Sequence, residues 1–179
     1  MQVSVIVHVI GPDRPGLVEQ LSAVIRAASG NWEGSRLVQL AGQFSGMVQV
    51  VIEEEKVPAL RDSLAELEDS GLHTSIAHIT KGDEETASDS GLSYDLEVVG
   101  QDRQGIVAVI SKTLAAEGVN VVELTTDCTL APWSGERLFK TNARLLVPDS
   151  IDAADLLQKI ETIAGDLMVE LHPAELEAR

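Results

Sequence analysis

The chain has 179 residues, with 29 Asp and Glu against 13 Lys and Arg, and a formal net charge of −16. Without clustered cations it has nothing to neutralise a phosphate backbone, which argues against direct binding to nucleic acid or to an anionic membrane surface. Its single cysteine, Cys128, excludes an internal disulfide and any cysteine-based metal spacing, and a reducing, cytoplasmic setting fits that usage.

Residues 2–10 alternate, with Val3, Val5, Val7 and Val9 on one side, which predicts a strand with one strongly apolar face. This apolar run is too short to span a bilayer and lacks the basic lead and cleavage pattern of a secretory signal. The stretch Gly11-Pro12-Asp13-Arg14-Pro15-Gly16 follows as a turn, with Gly11 expected to take backbone angles closed to other residues and Asp13 expected to cap a helix. That helix is predicted over about 14–29, with Val18, Leu21, Ile25 and Ala28 on its apolar stripe, and it ends at Ser29-Gly30-Asn31. Strands over 32–41 and 44–53 meet at Ala41-Gly42-Gln43, a hairpin signal. A second helix over about 57–70 carries Val57, Leu60, Leu64 and Leu67, stops at Ser70-Gly71, and leads into a strand from Leu72 to Thr80. The order is β-α-β-β-α-β, the ferredoxin-like arrangement.

Residues 81–92 begin with an acidic, polar run and are expected to form a linker between domains at 1–80 and 93–173. Tyr94, Leu96 and Val98 then restart the strand pattern. A helix follows at about 103–118 with Val107, Ile110 and Leu114. Strands at 120–130 and 137–147 come next, joined around Ala131 to Gly135. The second of them alternates Phe139, Thr141, Ala143, Leu145 and Val147 with Lys140, Asn142 and Arg144. A helix at about 152–165 uses Leu156, Ile160 and Ile163, Leu167 to Leu171 close the unit, and 174–179 form a terminal tail.

The two halves are copies. Gly11-Pro12-Asp13-Arg14-Pro15-Gly16 recurs as Gly100-Gln101-Asp102-Arg103-Gln104-Gly105, and the same offset of 89 residues carries Ser22 to Ser111, Ala27 to Ala116 and Asn31 to Asn120. A turn of this shape exposes N–H groups that can meet a carboxylate. Its aspartate serves the turn, whereas an arginine beside it in both copies is not required by turn geometry alone; it offers charge or an ion pair. Asn31 and Asn120 suit a helix end, the commoner role for such residues, and also offer an amide to an amino acid's ammonium and carboxylate, near a neighbouring unit's turn. Architecture and ligand binding both remain open for these residues.

Other candidates read as structural. The histidines His8, His73, His78 and His172 form no close ligand pair, and the odd spacing of His73 and His78 puts them on opposite strand faces. No cofactor or metal motif, P-loop or nucleophile elbow is present. Cys128 is expected as a small buried side chain, Trp32 and Trp133 as packing residues, and Glu53-Glu54-Glu55 as a solvated strand end.

A βαββαβ unit with Asp13-Arg14-Pro15-Gly16-Leu17-Val18 after its first strand resembles an ACT domain, a regulatory module that commonly binds amino acids. Gly30-Asn31, Ser35-Arg36-Leu37 and Ala41 to Ser45 extend the likeness in the first copy, as do Val119-Asn120-Val121, Thr125-Thr126, Ala131-Pro132, Ser134-Gly135, Phe139 and Val147-Pro148 in the second. Together they resemble the tandem-ACT glycine cleavage system transcriptional repressor family. The resemblance implies an α+β fold of two ferredoxin-like domains, each a four-stranded antiparallel sheet with two helices on one face. It implies a non-catalytic regulator that binds a small amino acid, glycine by implication, and acts on a DNA-binding regulator protein rather than on DNA. The implied ligand residues are Gly11, Asp13, Arg14, Gly16 and Asn31, then Gly100, Asp102, Arg103, Gly105 and Asn120. A homodimer is also expected. Gln101 and Gln104 stand where the first copy has prolines, which softens the second turn. Two other readings stay open: a ligand-free interaction module, and an enzyme or a regulatory piece detached from one, related to those of formyl-folate or phosphoserine hydrolases.

Overall fold

The computed structural model describes residues 1–79, 91–132 and 135–174. It divides into two compact units, Met1–Ala87 and Ser88–Arg179. The expected linker therefore falls outside the described residues as far as residue 90; Gly91 and Leu92, also assigned to it, already belong to a strand. Thr80, Trp133, Ser134 and residues 175–179 of the tail lie outside them too.

In the first unit, β1 (Gln2–Pro12) is followed by α1 (Leu17–Ala27), β2 (Asn31–Leu40), β3 (Gln43–Glu53), α2 (Val57–Ala65) and β4 (His73–His78). One turn of 3-10 helix at Glu54–Lys56 leads into α2, and another at Glu66–Ser70 leaves it. The sheet order is β2-β3-β1-β4, antiparallel throughout. Alternation decides its faces: Val5, Val7 and Val9 of β1 and Val48, Val50 and Ile52 of β3 are buried beneath the helices. Leu21, Ile25, Leu60 and Leu64 close the core from the helical side. Ala41 and Gly42, both at positive φ, make the two-residue hairpin turn whose twist matches the strands it joins.

The second unit repeats this with β5 (Gly91–Gln101), α3 (Ile106–Ala116), β6 (Asn120–Leu130), β7 (Arg137–Pro148), α4 (Ala153–Ala164) and β8 (Met168–Pro173), in the order β6-β7-β5-β8. Phe139, Thr141, Ala143, Leu145 and Val147 all point into the core, as their alternation predicts. Even the irregularity is duplicated. β2 shifts register between Trp32 and Gly34, and β6 between Val121 and Glu123, 89 residues on.

Three helical stripes differ from expectation. α1 begins at Leu17 rather than about residue 14, so Leu17, Leu21 and Ile25 are buried while Val18 is 47% exposed. In α3 Ile106 is buried in place of Val107, and in α4 Ala164 in place of Ile163. Each apolar pair offered two residues for one inward position, and the starting point of the helix chose between them.

The edge strands β2 and β6 part company in their packing. Trp32 and Leu37 of β2 are half-buried against the first core. The position equivalent to Trp32 is Val121, and every residue of β6 is exposed. Cys128 is accordingly exposed rather than buried. Its strand pairs Cys128 with the inward-facing Phe139, but none of the described residues buries that end of the edge strand. Among the described residues no helix is long and apolar enough to cross a membrane.

Candidate functional site

The duplicated turn is an extension of the first strand, not the opening of the helix. β1 continues to Pro12, where it pairs with Gln43, and the Asp13 N–H donates to the Gly42 carbonyl at 2.9 Å. In the second unit the Asp102 N–H likewise donates to the Arg137 carbonyl at 2.8 Å. The turn is thereby pinned to the neighbouring hairpin. This corrects the expected capping role of Asp13. The N-cap position is Gly16, at φ 90°, and its counterpart is Gly105, at φ 89°; neither helix start has a side-chain cap. A left-handed residue reverses the chain there, which is why glycine stands at both positions. The first N–H groups of α1 and α3 are left without intrahelical partners.

Gly11 serves another purpose than expected. It sits in the extended strand, and a Cβ there would collide with the Gly71 carbonyl oxygen. Gly100 meets the side chain of Leu167 in the same way. Both glycines let the strand pass close to the connection between the second helix and the last strand.

The arginines bridge the same two regions. The Arg14 Nη2 donates to Gln20 Oε1 at 2.9 Å and lies 3.5 Å from the Ser70 carbonyl oxygen, at the end of the second 3-10 turn. Arg103 Nη2 donates to the carbonyl of Ala164, the last residue of α4, at 2.9 Å, and pairs with Asp166 at 3.4 Å. A cation at the carbonyl end of a helix is favourable, so both arginines fasten the turn to the far end of their unit. Among the described residues, the ion pair expected for this residue exists in the second copy only.

The aspartates diverge as well. Asp102 pairs with Arg137 at 3.1 Å. The Asp13 carboxylate is exposed and has no partner among the described residues. Gly11, Asp13, Arg14 and Gly16 thus stand together, as do Gly100, Asp102, Arg103 and Gly105. The asparagines do not join them. Asn31 pairs with Val51 at one end of β3, whereas Pro12 pairs with Gln43 at the other, eight residues and about 26 Å away. Asn120 is equally distant from its own turn.

Of the histidines, His73 pairs with Ile10 and His78 with Val5, on opposite faces as predicted, and His172 lies 3.2 Å from Glu170. Among the described residues no cluster of three or more His, Cys, Asp or Glu could hold a metal ion. Glu53 pairs with Lys56 at 2.9 Å, and that hydrogen bond and charge hold its carboxyl below the ordinary carboxylate range. Sequence reasoning missed the helix-end contacts of the arginines; the acidic Asp166 just beyond Ala164 was the only visible sign of them.

Each unit is thus a small α+β module of the ferredoxin-like class, with a glycine-bounded turn at the end of its first strand. Residues 4–76 match one ACT-domain family model and residues 89–169 a second. The chain belongs to the ACT-domain family, as an ACT-type regulatory protein with two ACT domains in tandem. It is similar to the crystal structure of an unknown protein from Galdieria sulphuraria, at 29% identity, covering 98% of this chain and 100% of that one with a TM-score of 0.79. It is also similar in fold to the structure of a "putative glycine cleavage system transcriptional repressor", at 15% identity, 98% and 99% coverage and a TM-score of 0.71. No curated protein matches the chain.

Proposed function

We propose that the protein is a sensor of a small amino acid, glycine first among the candidates, that regulates transcription through a DNA-binding protein partner rather than by touching DNA. The observation that carries this reading is the first turn. Asp13, an exposed carboxylate with no partner among the described residues, lies in the turn that leads to the uncapped N–H groups opening α1. An amino acid presents the complementary pair: an ammonium for Asp13 and a carboxylate for the N–H groups. Gly11 and Gly16 shape the turn, and Arg14 holds it against the end of the second helix. The second turn has the same backbone, through Gly100, Asp102, Arg103 and Gly105, but its aspartate is already paired with Arg137. The first turn is therefore the ligand site and the second its structural counterpart. Neither Asn31 nor Asn120 reaches a ligand at the turn of its own unit, because each stands at the wrong end of its own sheet.

The charge of −16 supports a protein partner over DNA. The family, and the likeness in fold to a protein described as a glycine cleavage repressor, support glycine as the first ligand to try. A ligand selects among arrangements only by binding them unequally, so the partner must read a state that the amino acid favours. Calorimetric titration of the full chain with glycine, serine and the other common amino acids tests the reading. Saturable binding weakened about tenfold or more by Asp13→Ala, and little changed by Asp102→Ala, is expected. Silence across all of them overturns the sensor and leaves a ligand-free interaction module.

A further inference from the structure

We propose that the outer face of the first sheet, the side turned away from α1 and α2, carries a binding site for a copper(I) ion, built from His8, His73 and Met47. The sheet brings together what the chain keeps apart. His8 of β1 stands directly opposite Met47 of β3 on one side and Ser75 of β4 on the other; His73 of β4 stands opposite Ile10, one step along the same face. Directly opposed side chains start about 4.5–5.5 Å apart at Cβ, and diagonal neighbours such as His8 and His73 about 7–8 Å apart. Both histidines line one surface depression of about 420 Å³, together with Ser45 and Ser75. Both are exposed, as is Met47, and among the described residues neither imidazole has a hydrogen-bond or ion-pair partner to give up.

The donor set selects the ion. Two imidazoles suit zinc, nickel and copper alike, but a structural zinc site is closed by four protein ligands and a catalytic one keeps three. The third donor here is a thioether, a soft sulfur that favours copper(I). Calcium and magnesium are bound through oxygen, and among the described residues the one carboxylate at a regular position of this face is Glu53, at the far end of β3 and paired with Lys56. The cation beside the site, Arg36, stands opposite Met47 on β2, and its guanidinium donates to the Ser35 carbonyl at 3.3 Å. Met47 stays 46% exposed beside it. The chain's net charge of −16 offsets that local repulsion of a metal ion.

The internal repeat sharpens the assignment. The positions of the second sheet equivalent to His8, Met47 and His73 are Glu97, Asn142 and Met168. The fold therefore does not require these donors, and their meeting on one face belongs to the first unit alone. Ser45 and Ser75 add hydroxyls at the rim, suited to hold a water that completes the ion's coordination. The site uses no residue of the duplicated turn and stands apart from the amino-acid reading.

Anaerobic competition of the full chain against bicinchoninate, a chromogenic copper(I) chelator, tests this without any amino acid present. The exposed thiol of Cys128 is itself a copper(I) ligand, so the measurement is made on the Cys128→Ser chain. The expected result is one copper(I) ion per chain, held at least ~tenfold more weakly after each of His8→Gln, His73→Gln and Met47→Leu. Met168→Leu and His172→Gln, on the second sheet, leave it unchanged. All these positions are exposed, and circular dichroism verifies that each variant is folded. A Cys128→Ser chain that takes no copper from the chelator overturns the proposal, as does binding indifferent to the three substitutions. Binding that falls with the histidines but not with Met47→Leu also overturns it, since two imidazoles without the thioether have no preference for copper(I).

Discussion

The two units share a backbone and differ in what they do with it. The first fills the space beneath its edge strand with Trp32, leaves Asp13 without a partner among the described residues, and turns an apolar sheet face to solvent. The second has Val121 where the tryptophan would stand, ties Asp102 to Arg137, and covers its outer face with carboxylates. Duplication preserved the positions that the chain's path demands: the glycines of the turn, the bulge in the edge strand, and the arginine at the helix end. Positions that only meet solvent or a partner were free to diverge. The differences therefore mark where function is to be sought, and the likenesses mark what the fold needs.

The sharpest way to break this comparison is at Gly11 and Gly100. A methyl group at Gly11 meets a backbone carbonyl oxygen, whereas at Gly100 it first meets the flexible end of Leu167. Gly11→Ala should cost the first unit about 3 kcal/mol and Gly100→Ala the second only about 1–2 kcal/mol, read from denaturant unfolding of each variant. Equal losses would mean that the two close approaches are equivalent. The edge strands come next. Trp32→Val should destabilise the first unit by about 2 kcal/mol, while Val121→Trp in the second should be neutral or slightly stabilising. A large loss from Val121→Trp would show that the space beside β6 is already filled.

The aspartates differ more subtly. Asp102→Ala should cost only about 0.5 kcal/mol, since its ion pair lies at the surface, and Asp13→Ala should leave thermal stability unchanged. The smallest effect belongs to Glu53. Its carboxyl titrates lower in the folded chain than in the unfolded one, so the Lys56 pair contributes above the unfolded value and is lost as pH falls through the folded one. An NMR titration should find a low midpoint for Glu53 that Lys56→Ala returns to the ordinary range.

Much of this architecture was legible in the sequence. Alternation assigned the inward residues of β1 and β7, and the internal repeat fixed the second unit from the first. Helix starts were less legible, because Asp13 looks like a cap and the strand's continuation to Pro12 depends on pairing with Gln43, a residue 31 positions away. Leu17 and Val18 are equally apolar, and only the true starting point separates them. The exposure of Cys128 was hidden because period-2 reasoning tells which side a residue faces but not whether anything covers that side. The candidate site was half legible. The turn residues do cluster, but the distance to Asn31 follows from sheet order, which no local pattern contains.

The arginine contacts carry a consequence for the timing of folding. Arg14 reaches a carbonyl 56 residues away, and Arg103 one 61 residues away. Contacts that close so long a stretch of chain form late, after the sheet has brought the ends of each unit together. They are therefore expected to be missing from the rate-limiting ensemble. Arg103→Gln should therefore hasten unfolding in stopped-flow measurements while leaving the refolding rate nearly unchanged. On that outcome the duplicated arginine is a clasp, holding shut a unit that assembles at much the same speed without it.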